Sequence, residues 1–139
     1  MVTKPIVLID INVILDVLQR KAPFYEASAH VLAGVETGAF EGFIAAHSIT
    51  TLFYLIQKDQ SSAKARASIT NLLQILRIAP VTQNTIDQAL NLDYSDFEDA
   101  VQMISALECK VDYLITRNIA DYTPPLLPVV QPVDFLGII

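Results

Sequence analysis

Five short apolar runs recur along the chain, separated by longer stretches whose apolar residues return at helical spacing. The runs are Ile6–Asp10, Glu41–Ala46, Leu76–Pro80, Val111–Thr116 and Leu127–Gln131, each bounded by polar or turn residues, and each reads as a strand. A strand apolar on both faces must be covered on both, and strands joined through helices are joined by crossovers. The pattern therefore predicts an α/β chain, a three-layer α/β/α sandwich around a central parallel sheet of four or five strands. With 139 residues and no repeat, low-complexity tract or Pro/Ser linker, residues 1–139 are expected to form one domain around one core.

The helical stretches carry their own signals. After His47, the residues Ile49, Leu52, Phe53 and Ile56 fall at i, i+3, i+4 and i+7 and form one stripe. From Ser61 to Leu76 a second face is lined by Ala65, Ile69, Leu72, Leu73 and Leu76, and Thr82 to Leu92 reads as a short helix. Pro23 suits a first helical turn and Gly38 a helix end. Ser95-Asp96-Phe97-Glu98 reads as a capping box with Ser95 as the cap, opening a helix whose apolar face is Phe97, Ala100, Val101, Ile104 and Leu107.

Composition narrows the function classes. At 53% hydrophobic and 17% charged the chain is not disordered, and its net charge of −6 argues against a wide electrostatic grip on nucleic acid. Charge is unevenly placed. Between Ile78 and Cys109 there is no Lys or Arg, while Asp87, Asp93, Asp96, Glu98, Asp99 and Glu108 gather there; Lys58, Lys64, Arg66 and Arg77 precede them. A cation site beside a small basic patch fits that division, although the basic residues are most simply a wetted helix surface. None of the four glycines builds a phosphate-binding loop. The lone Cys109 reads as a small buried apolar group, no signal peptide or membrane-length apolar run is visible, and the expected home is the cytoplasm.

Asp10 stands where the first strand becomes a helix, and in open α/β sheets ligands bind beyond the carboxyl ends of the strands. A carboxylate buried there is costly unless something compensates its desolvation. Asp99 opens a later helix, and Thr116-Arg117-Asn118-Ile119-Ala120-Asp121 follows the fourth strand, so separate segments can meet on one rim. Crowded carboxylates either take up a proton or hold a cation, and an all-oxygen set is the usual holder of Mg²⁺ or Mn²⁺. Such a site can activate water for attack on a phosphodiester. Asp96, Glu98 and Asp99 also suit a helix N-terminus with no function, Asp121 suits a turn, and Asn12 suits either a helix cap or a support for Asp10. Asp16, along the first helix, and Asp112, at the far end of the sheet, are expected to be solvated and outside the site. His47 is expected to be structural, without the ligand spacing of a zinc site.

Val7-Leu8-Ile9-Asp10-Ile11-Asn12-Val13-Ile14-Leu15-Asp16, Asp96-Phe97-Glu98-Asp99-Ala100 and Tyr113-Leu114-Ile115-Thr116-Arg117-Asn118-Ile119-Ala120-Asp121-Tyr122 together resemble the PIN domain family in order and spacing. The resemblance implies a small α/β/α metal-dependent nuclease acting on RNA, of the kind that serves as toxin in toxin–antitoxin pairs, with an antitoxin as partner. It implies Asp10, Asp99 and Asp121 as catalytic acids holding Mg²⁺ or Mn²⁺, Asp96 as a further ligand, and Asn12, Thr116, Asn118 and Thr51 in support. Two departures stand out. The family usually carries a glutamate in the helix after the second strand, where Ser48 to Tyr54 holds no acid and Thr50 or Thr51 occupies the neighbourhood; Asn118 stands where an aspartate is common.

Two other readings remain open at this level. A PIN-like module without catalysis would bind RNA or a protein and show no metal-dependent stabilisation. Asp10-Ile11-Asn12-Val13 also resembles the opening of haloacid-dehalogenase phosphatases, which expects a second aspartate where Asn12 stands. Apolar residues on helices, Phe24, Tyr25 and Tyr54, leave room for a homodimer.

Overall fold

A computed structural model describes residues 4–139. Its five strands are β1 Ile6–Ile9, β2 Glu41–Ala45, β3 Arg77–Ala79, β4 Tyr113–Ile115 and β5 Val129–Val130. Each lies inside the run expected for it. All pair in parallel, in the order β3-β2-β1-β4-β5. Strand order reverses at β1, whose two neighbours are β2 and β4, so the carboxyl ends of β1 and β4 flank the crevice where such sheets bind ligands.

Among the described residues seven α-helices connect and cover the strands: α1 Ile11–Leu18, α2 Tyr25–Glu36, α3 Ala46–Asp59, α4 Ser62–Leu72, α5 Gln83–Ala89, α6 Phe97–Glu108 and α7 Pro132–Ile138. Alternation along β1 decides which layer each residue meets. Val7 and Ile9 pack on the side of α1, α2, α3, α4 and α7, with Val13, Val31, Leu52, Ile69 and Phe135. Leu8, between them, faces α6 and packs with Met103, Leu114 and Tyr122. The result is the expected three-layer α/β/α sandwich.

Helix ends follow side-chain chemistry. Ser61 caps α4 by accepting from the Lys64 amide, and Thr82 caps α5 in a reciprocal box with Thr85. Gly38, at φ +81°, takes the left-handed turn that follows α2. Two expectations need correction. Pro23 precedes α2, which starts at Tyr25. The cap of α6 is Asp96, not Ser95: its Oδ1 accepts from the amides of Glu98, at 2.8 Å, and Asp99, at 3.3 Å. A carboxylate is the stronger acceptor at the positive end of a helix, and it moves the start by one residue.

Candidate active site

Asp10 is the N-cap of α1 by backbone, yet its side chain makes no capping bond. A residue type well suited to that bond has been turned away from it. Its carboxylate is buried, and Oδ2 instead accepts from Thr116 Oγ1 at 2.7 Å, Tyr122 OH at 3.0 Å and Asn12 Nδ2 at 3.2 Å. Strand register makes the Thr116 contact unavoidable, because Ile9 pairs with Ile115 and the next residue of each strand stands at the crevice. Asn12 proves to be a support for Asp10, not a cap. It also donates to Thr116 Oγ1 at 3.3 Å and accepts from the Arg117 amide at 3.4 Å, so it ties the loop after β4 to α1.

Asp99, in the first turn of α6, is half-buried, and its carboxyl is pushed up to about 7. Burial is the largest cause, followed by repulsion from Asp96, Asp10 and Asp121. Asp10 just beyond β1, Asp96 at the cap of α6 and Asp121 in the 3₁₀ turn Ile119–Asp121 therefore all lie within electrostatic range of Asp99. Asp96 and Asp121 are exposed at the edge of the group, and one Asp96 oxygen is occupied by the α6 cap. Asn118 precedes the 3₁₀ turn and donates its amide to Thr116 Oγ1 at 3.1 Å. Thr51 donates back to the His47 carbonyl at 3.5 Å, as Thr50 does at 3.0 Å, so α3 brings no charge to the group.

The donor set fits a hard divalent cation: the donors are all oxygens, and their mutual repulsion is what a cation relieves. Among the described residues, no three His, Cys, Asp or Glu side chains stand close enough to coordinate one ion directly.

Three features escaped sequence reading. Tyr122 is buried, and burial, then Asp10 and Asp99, hold its hydroxyl far above the ordinary tyrosine range, so it is a permanent donor. It accepts in turn from Gln102 Nε2 at 2.7 Å, and Gln102 Oε1 accepts from Ser48 Oγ at 3.3 Å. Asp16 is the third, and a correction. Far from being solvated, it is fully buried, 2.8 Å from Arg117 Nε and 3.4 Å from Ser28 Oγ. Burial pushes its carboxyl up, against the pull of Arg117. The one hint in the sequence is a carboxylate among the apolar residues from Val13 to Leu18.

The expectation for Asp112 holds. Asp112 is exposed and accepts from the Ile6 amide at 2.8 Å, at the opposite end of the sheet. His47 donates through Nε2 to the Glu98 carbonyl at 3.2 Å, which braces α3 against α6, and burial lowers its pKa. A cavity of about 400 Å³ lies away from the acids, between Phe24, Ala27, Arg117 and Pro132, and shares only Arg117 with the loop after β4. Phe24 is partly covered by the Arg117 guanidinium, 4.2 Å from its ring, and Tyr25 is half-buried, so of the proposed dimer residues only Tyr54 is broadly exposed.

A family model described as "PIN domain" matches residues 6–120. The chain belongs to the PIN domain family. Solved structures agree on the fold of this PIN domain. A toxin–antitoxin complex from Klebsiella pneumoniae superposes with a TM-score of 0.69 at 20% identity, over 91% of this chain and 97% of that one. FitAcB from Neisseria gonorrhoeae gives 0.69 at 16% identity, over 91% and 98%. VapC20 from Mycobacterium tuberculosis, described as a toxin cleaving the sarcin–ricin loop, gives 0.63 at 14% identity, over 78% and 86%. No curated protein matches the sequence. Family membership displaces the haloacid-dehalogenase alternative. Among the described residues no helix is long and apolar enough to cross a membrane.

Proposed function

We propose that this PIN domain is a metal-dependent endoribonuclease, the toxin of a toxin–antitoxin pair, working in the cytoplasm with Mg²⁺ or Mn²⁺. The observation that carries the reading is the state of Asp99: burial first, and then repulsion from Asp96, Asp10 and Asp121, raise its carboxyl to about 7, at the topological switch point of the sheet. Asp10, Asp99 and Asp121 are assigned to hold the cation, with Asp96 at the margin. A divalent ion bound there supplies Lewis acidity toward an RNA phosphodiester. Thr116 and Asn12 orient Asp10, and the Asn118 amide orients Thr116. An antitoxin is the assigned protein partner, since structural neighbours of the fold include toxin–antitoxin complexes.

The test is cleavage of assorted RNAs with and without Mn²⁺. Cleavage that needs Mn²⁺ and disappears in Asp10→Asn, with the variant still folded, supports the reading; equal cleavage by both proteins refutes it.

One observation favours a second reading, a PIN domain retired to binding RNA or protein. The α3 helix offers hydroxyls bonded to its own backbone where the family usually places an acid, so the site carries less charge. No stabilisation by Mn²⁺ and no cleavage would select this reading.

A further inference from the structure

Three donors converge on Asp10 Oδ2, from Thr116, Tyr122 and Asn12, while Oδ1 accepts from no protein group among the described residues. The two oxygens of one buried carboxylate are thereby made different. Thr116 and Asn12 are local to the strand ends, and both also bond to each other and to the loop after β4. Tyr122 is the donor that connects Asp10 to the opposite helical layer. Its ring is set by packing, edge-on to Tyr94 with centroids 6.3 Å apart, so the hydroxyl is aimed before it makes any hydrogen bond.

The order of donors behind it is fixed by counting protons. A phenol has one proton, and it goes to a carboxylate, Asp10 at 3.0 Å with Asp99 as a second acceptor in reach, so Gln102 must present its NH₂ side to the Tyr122 oxygen. The Gln102 carbonyl then faces Ser48, which donates to it. Every bond in the chain Ser48, Gln102, Tyr122, Asp10 runs the same way, and bonds aligned in series polarise and strengthen one another.

We propose that Tyr122 is a positioning residue for the cation site: held by Gln102, its hydroxyl pins Asp10 through Oδ2 and leaves Oδ1 as the oxygen offered to the ion. The proposal rests on the metal-dependent reading above. Partners behind a ligand typically change metal affinity by about 10- to 100-fold, and Tyr122 falls in that class.

The experiment measures the Mn²⁺ dissociation constant of the full chain, counting free Mn²⁺ by its paramagnetic resonance signal, alongside the melting temperature without metal. Tyr122→Phe keeps the ring and removes only the donor; about 10-fold weaker binding with a cooperative melt is the expected result. Gln102→Met should weaken binding in the same direction, and the double variant should be no weaker than Tyr122→Phe alone, because both act along one path. Tyr122→Phe binding within twofold of the parent, even with a lowered melting temperature, overturns the proposal, since that is what packing alone predicts. If the parent binds Mn²⁺ and Asp10→Asn does not, such a result leaves the nuclease reading standing and removes only the role of Tyr122. If the parent binds no Mn²⁺, both fall together.

Discussion

Arg117 Nε lies 2.8 Å from Asp16 Oδ2, an ion pair whose acid is fully buried and whose guanidinium also covers the Phe24 ring at 4.2 Å. The pair joins α1 to the residue after Thr116, so the loop that orients Asp10 is anchored from below. Removing one partner of a buried pair leaves the other uncompensated, at a cost of about 3–5 kcal/mol. Arg117 retains some contact with water, and Asp16→Ala is expected to cost about 2–4 kcal/mol in urea unfolding. Adding Arg117→Met to Asp16→Ala should recover part of the loss. A single-variant loss well under 1 kcal/mol would show the pair to be idle.

Asp99 contributes to the pH dependence of the metal-free protein. Its carboxyl is raised from 3.8 to about 7 by burial and by Asp96, Asp10 and Asp121, so the folded state holds a proton that the unfolded chain has already released. The stability this brings is complete below about pH 4 and is lost as pH rises through 7. Asp99 is half-buried, solvent screens the repulsion, and the expected loss is about 1–2 kcal/mol. Asp99→Asn should therefore unfold at higher urea than the parent at pH 8 and show little gain at pH 4. Equal pH profiles for the two proteins would contradict the crowding of acids at this rim.

The layers were legible because their signals are local. Five apolar runs and the spacing of Ile49, Leu52 and Ile56 or of Ala100 and Ile104 are statements about neighbours in sequence, and parallel pairing follows from them. Asp10 was legible for the same reason: an acid at the end of an apolar strand is conspicuous. Asp16 was not, because α1 is apolar nearly all round, its period marks no solvent face, and the compensating cation lies 101 residues away. Gln102 sits inside a run buried from Ala100 to Ala106, a polar residue with no visible reason until Tyr122 and Ser48 are brought to it by the fold. The α6 cap was misplaced by one position because Ser95 and Asp96 are adjacent candidates, and carboxylate strength, not spacing, decides between them.

The family match ends at residue 120, yet the main core does not. Phe135, on α7, is fully buried and sits edge-on to Phe40 at 4.9 Å and to Tyr113 at 5.5 Å, so the last helix closes the layer over β1 and β4. A ring removed from such a site leaves a cavity that two neighbouring rings cannot collapse into, and Phe135→Ala is expected to cost about 3–5 kcal/mol. Val133, on the same helix but 60% exposed, serves as control, and Val133→Ala should stay within about 0.5 kcal/mol of the parent. Urea unfolding of both variants decides the matter. If Phe135→Ala costs no more than Val133→Ala, α7 unfolds apart from the sheet, and the cooperative unit is only the segment that the family shares.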